Sequence, residues 1–130
     1  MLGVKTYPPE YIESCRAKVA SDTAAFDSLE SAGSSFETKY FNNLVIVLEA
    51  MFVHRLRTVE GKDGNALNEV RVLVNSQLEH GGVLTADKTI KLVASKSVLG
   101  LEYGEQVALT REGFGRLSEA FFGEIERRFS

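Results

Sequence analysis

Three observations predict a mainly α fold, a helical bundle of about four helices with a small β-hairpin or irregular arm between helices three and four. Apolar residues recur at three- and four-residue spacing in four separate stretches. Glycines break the pattern between them, at Gly33, Gly61 to Gly64 and Gly81-Gly82. Between Val83 and Leu109 the helical period fails and short strand-like alternation takes its place.

Residues 1–8 read as an extended lead, with Pro8 and Pro9 opening the first helix, because proline is tolerated in a first turn. Ile12, Cys15, Val19, Phe26 and Leu29 then form a stripe that ends before Gly33, with Asp22 at the missing seam position. Asp22 reads as a hydrated edge residue rather than a core partner. Ser34-Ser35-Phe36-Glu37 fits a capping box, Ser34 as N-cap and Glu37 reaching back, which starts helix two. This helix is apolar almost all round from Leu44 to Val53, as expected of a central element, and the run from Phe36 to Leu56 is too long for a strand. Asp63 or Asn65 can cap helix three, whose apolar face is Leu67, Val70, Leu73, Val74 and Leu78. In the arm, 83–109, residues 89–93 and 106–109 alternate as a hairpin would. Thr110 caps the last helix, carrying Phe114, Leu117, Phe121, Ile125 and Phe129. Residues 9–130 thus form one helical domain, a size that supports a single core.

With 44% hydrophobic and 25% charged residues the chain has an ordinary globular balance, and a net charge of −3 gives no field for nucleic acid or an anionic membrane. No apolar run is long enough to span a bilayer. One cysteine, Cys15, permits no internal disulfide, and the N-terminus lacks a signal-peptide layout, so the expected location is cytoplasmic.

The polar corner from His54 to Arg71 is the candidate functional surface. Arg55, Arg57 and Arg71 offer guanidinium forks that match carboxylate or phosphate, with His54, Glu60, Asp63 and Asn68 beside them. The competing reading is a structural ion-pair network in which Glu60, Asp63 and Glu69 neutralise the arginines. Two histidines and one cysteine, with no Glu-x-x-His pair, argue against a metal, and no cofactor is expected. Cys15 lies on an apolar stripe without a histidine and reads as an inert thiol. Lys88, Lys91 and Lys96 make a modest basic patch that Glu102 and Glu105 offset along the sequence. The short Gly61 to Gly64 segment lacks the Walker spacing of a phosphate loop.

The stretch from Tyr40 through Leu78, above all residues 52–65, resembles a family of uncharacterised actinobacterial proteins, and the likeness continues to Phe129. That resemblance implies a helical cytoplasmic protein and supplies no catalytic residues. The expectation is a nonenzymatic protein-interaction module, self-associating as a homodimer, because Phe114, Phe121, Phe122 and Phe129 exceed what one helix face can bury. The alternative is a small-molecule or anion-binding protein or enzyme with its site at the polar corner.

Overall fold

In the computed structural model, which describes residues 3–130, the chain is mainly helical, with no strand among the described residues. Helix α1 spans Pro9–Asp27, α2 Ser34–Met51, α4 Ala66–Glu79 and α5 Arg111–Phe129, and a single turn, α3, covers Arg57–Glu60 between α2 and α4. A 3-10 turn at Ala94–Lys96 interrupts the arm.

One apolar core joins the four long helices. Val19 from α1, Phe41 and Leu48 from α2, Leu67, Val70 and Leu73 from α4, and Phe114, Leu117, Phe121 and Ile125 from α5 all belong to it. The four phenylalanines expected to overflow into an interface do not overflow: Phe114, Phe121 and Phe129 are fully buried and Phe122 is 2% exposed. Phe121 and Phe122 meet Phe52 just past the end of α2, Phe114 meets Phe41, and Phe129 meets Tyr7 from the lead. The last helix is therefore enclosed on more than one side, and its phenylalanines leave no aromatic surplus to cover a second copy. Leu78, assigned to the buried face of α4, is 65% exposed because it lies beyond the packed stretch that ends near Ser76.

The lead is extended as expected, Met1 and Leu2 lying outside the described residues. Val4 makes an isolated parallel bridge to Arg55, its amide donating to the His54 carbonyl (2.7 Å) and its carbonyl accepting from Leu56 (2.8 Å). These bonds explain why α2 stops at Met51 rather than running on to Leu56. The His54 carbonyl and the Leu56 amide serve the lead, so that amide cannot also continue the helix ladder, and the Arg55 amide closes only a turn on the Phe52 carbonyl (3.1 Å).

Asn65 and Thr110 cap as expected, Asn65 accepting from the Leu67 and Asn68 amides and Thr110 from Gly113. The capping box at Ser34 does not form. Gly33 is the N-cap, without a side-chain bond, and Glu37 instead accepts from the Arg111 amide (2.8 Å), joining the starts of α2 and α5. The arm contains no hairpin. Its two strand-like stretches bond elsewhere: Lys91 donates to the Lys62 carbonyl (2.9 Å) at one end of the bundle, and Val107 to Gly82 (2.7 Å) at the other. The irregular alternative is the correct description. Asp22 is half-buried and pairs with Lys18, an edge residue as read.

Candidate functional site

The corner after α2 is organised around Arg55, whose side chain is fully buried. Its Nε donates to Glu60 Oε1 (2.9 Å), Nη2 to Glu49 Oε1 (2.8 Å) and the Leu67 carbonyl (3.1 Å), and Nη1 to the Phe52 carbonyl (3.0 Å). The guanidinium also lies over the Phe121 ring, 5.4 Å from its centroid. One arginine thereby ties the end of α2 to α3, α4 and α5.

Glu60 is as deeply buried and receives three further hydrogen bonds besides that from Arg55. Arg71 reaches both its oxygens (2.6 and 3.3 Å), and Asn68 Nδ2 donates to Oε2 (2.6 Å). Asn68 is itself satisfied, its other amide hydrogen going to the Gly61 carbonyl (3.0 Å) and its oxygen accepting from the Gly64 amide (2.9 Å). Glu49 completes the set, with Arg71 Nη1 3.8 Å from its second oxygen. Two carboxylates face two guanidiniums, so the cluster is neutral, the arrangement that burial of charge requires.

Burial pushes the Glu60 carboxyl up, but the Arg71 hydrogen bonds and the fields of Arg55 and Arg71 outweigh it, leaving the group below its ordinary range. For Glu49 burial wins over the single close guanidinium, and its carboxyl is raised. Glu69 stands apart from the cluster. Its two oxygens accept from the Val98 and Leu99 amides (2.8 and 3.0 Å), holding the arm against α4, and burial raises it as well.

Of the seven residues proposed as a ligand site, the structure brings Arg55, Glu60, Asn68 and Arg71 together and leaves His54, Arg57 and Asp63 outside. His54 is not on α2 but in the turn after it, exposed, and its imidazole makes no hydrogen bond to the described residues. Arg57 is exposed at the start of α3. Asp63 is exposed and accepts from Asn65 Nδ2 (2.7 Å), with Arg128 at 3.7 Å. Glu49 was the member missed. A lone carboxylate inside the apolar run 44–53 was the available signal, since a buried acid needs a cation.

In this geometry the two guanidiniums inside the cluster, Arg55 and Arg71, are turned onto Glu49, Glu60 and backbone carbonyls, and Arg57 is left facing solvent. An incoming phosphate or carboxylate would have to break a buried pair. Among the described residues no group of three or more His, Cys, Asp or Glu could hold a metal ion. Cys15 is a buried free thiol, and burial raises it, which lowers its nucleophilic fraction. No helix of the described residues is long and apolar enough to cross a membrane. No family model, no curated protein and no solved structure matches this chain.

Proposed function

We propose that this chain is a nonenzymatic, cytoplasmic helical module that works by protein contact and self-associates through the aromatic corner between α1 and α2. The observation that carries this reading is a column of rings that starts in the core and ends in solvent. Phe114 packs on Phe41, and Phe41 on Phe26 (centroids 5.4 and 4.8 Å apart). Phe26 then stacks on Phe36 at 6.3 Å with the planes 5° apart. Phe36 is 47% exposed, and Leu29 beside this corner is 48% exposed. A phenylalanine ring left half in solvent at the end of a packed column is the kind of apolar surface that a partner covers. A two-fold pairing would let each copy cover the other's Phe36 with the same patch.

The internal pairing of the polar corner supports the nonenzymatic half of the reading, and the single buried thiol supports a reducing compartment. The resemblance to an uncharacterised actinobacterial family adds no activity to transfer. Sedimentation velocity tests the proposal. The wild type is expected to run as a dimer at micromolar concentration and Phe36→Glu as a monomer with an unchanged melting curve. A wild type that stays monomeric throughout that range overturns self-association. A small molecule retained in stoichiometric amount in a native mass spectrum, and lost in Arg57→Ala, would instead establish the corner as a binding site.

A further inference from the structure

The cations that the corner does not consume gather on its outer face. Arg57, Lys62, Lys88 and Lys91 are all exposed, and none forms an ion pair with the described residues. The backbone brings them together. Lys91 donates its amide to the Lys62 carbonyl (2.9 Å), and the turn closed by the Ile90 amide on the Asp87 carbonyl (3.3 Å) places Lys88 next to them. The Gly61 amide closes on the Arg57 carbonyl (3.0 Å), so the start of α3 stands one turn before the Lys62 segment that Lys91 bonds. The Thr89 amide and hydroxyl, helped by the fields of Arg57 and Arg71, hold the Asp87 carboxyl below its ordinary range.

Two carboxylates share this face with the four cations, which leaves it positive, and each is held locally by its own loop. Asp87 accepts from the Thr89 amide and hydroxyl (2.8 and 2.7 Å), and Asp63 from Asn65 (2.7 Å). A cleft of about 410 Å³ adjoins the cations, with Ala66, Val98 and Ala120 among its walls and exposed Lys96 at its rim. Its two carboxylates are occupied as well, Glu69 by the Val98 and Leu99 amides and Glu124 by Arg127 and Arg128. Gly64 lines this cleft and abuts the Lys91 backbone, so cations and cleft form one continuous surface. Along the sequence Glu102 and Glu105 look close enough to cancel these lysines. In the fold, the Glu105 carbonyl accepts from Leu84, near the far end of α4, and the Glu105 carboxylate accepts from the Glu102 amide (2.6 Å). From this loop the Tyr103 hydroxyl reaches the Leu92 carbonyl (2.9 Å), and neither glutamate pairs with a lysine among the described residues.

We propose that this face docks an acidic peptide segment of a partner protein, its carboxylates meeting Arg57, Lys62, Lys88 and Lys91 and one apolar side chain entering the cleft. Charge complementarity and the shape of the surface favour a narrow partner. The chain as a whole carries a net −3, and exposed Glu10 and Glu13 stand at the same end of the bundle, where the lead meets Phe129. A nucleic-acid duplex or an anionic bilayer covering that end would meet those acids too, whereas a single peptide strand need touch only the cations. Each exposed pair is weak, so the docking depends on several at once and on low screening. The inference is independent of self-association, whose surface lies at the opposite end of α2.

The test is fluorescence anisotropy of the full chain against a short labelled peptide of Asp and Glu with one central Leu. Binding is expected in the micromolar range, weakening as ionic strength rises to ~0.15 M. The double variant Lys62→Glu/Lys91→Glu is expected to weaken it by about tenfold or more, while Lys39→Glu on α2 leaves it unchanged. Both lysine side chains are exposed and their mutual bond is a backbone one, so the melting curve should not move. If the double variant does not fold, Lys88→Glu alone is expected to reproduce the direction of the effect. Absence of peptide binding, indifference to these reversals, or tighter binding to a DNA duplex or to phosphatidylserine vesicles than to the peptide overturns the proposal.

Discussion

Replacing Arg55 by Met separates a structural network from a ligand site. The side chain is fully buried and makes four hydrogen bonds, two to carboxylates and two to carbonyls. Met fills comparable apolar volume but leaves Glu49 with only Arg71 at 3.8 Å. Removing one partner of a buried pair costs about 3–5 kcal/mol. For 130 residues the unfolding entropy is about 0.27 kcal/mol/K, so the melting temperature should fall by about 11–18 °C. The loss should be larger at pH 8 than at pH 5.5, because the orphaned Glu49, already raised by burial, can escape its penalty by taking a proton. Thermal unfolding followed by circular dichroism reads both effects. His54→Ala is the internal reference, since an exposed side chain without partners should change stability by no more than about 0.5 kcal/mol. If Arg55→Met melts within a few degrees of wild type, or no lower than His54→Ala, the reasoning from a buried neutral cluster is wrong.

Other perturbations read separate parts of the same end. Asn65→Ala removes the acceptor for the Leu67 and Asn68 amides and should cost about 1 kcal/mol in urea unfolding. Gly64→Ala should cost about 2–3 kcal/mol, because φ is +88° and the added methyl would meet the Lys91 carbonyl; a neutral result would mean that the arm does not press on the corner. Glu69→Gln keeps the shape but loses one of two acceptors for the arm, which should speed amide exchange at Val98 and Leu99 selectively. It should also alter the pH profile. Glu69 is raised in the fold, so the native state binds its proton more readily than the unfolded chain, and this group makes stability rise as pH falls from neutral toward 4.5. The variant should show a smaller rise. Glu60 has the opposite sign: its contribution is complete above the unfolded value of 4.5 and is lost as pH falls through the lower folded one, so acid unfolding should begin below 4.5.

The parts of the fold legible in the sequence are those set by neighbours a few residues apart. Asn65 and Thr110 cap because the amides they serve lie two or three residues on, and the stripes of α1, α4 and α5 repeat within a turn. The parts that were not legible depend on segments far away in the chain. Glu37 leaves its own helix start because the Arg111 amide, 74 positions later, is the better-placed donor. The end of α2 is decided by Val4, and the fate of the arm by bonds to Lys62 and Gly82. In the corner, sequence alone named Arg55, Glu60, Asn68 and Arg71 as a set. It did not distinguish them from His54 and Arg57, because which side chains point inward depends on a turn whose path Val4 fixes.

The pairing of the lead with the end of α5 carries a kinetic consequence. The Tyr7 amide reaches the Phe129 carbonyl, and the Tyr7 ring packs on both Phe129 and Phe52, so the lead and the end of α5 close a loop of nearly the whole chain. Such a closure has a large entropy cost and gains nothing until the helices between have docked. The seam should therefore form after the rest of the bundle and open before it. Trimming a few residues from either terminus would unseal the other, whereas joining the two ends with a short linker and cutting the exposed turn near Gly33 should give a permuted chain that keeps the bundle.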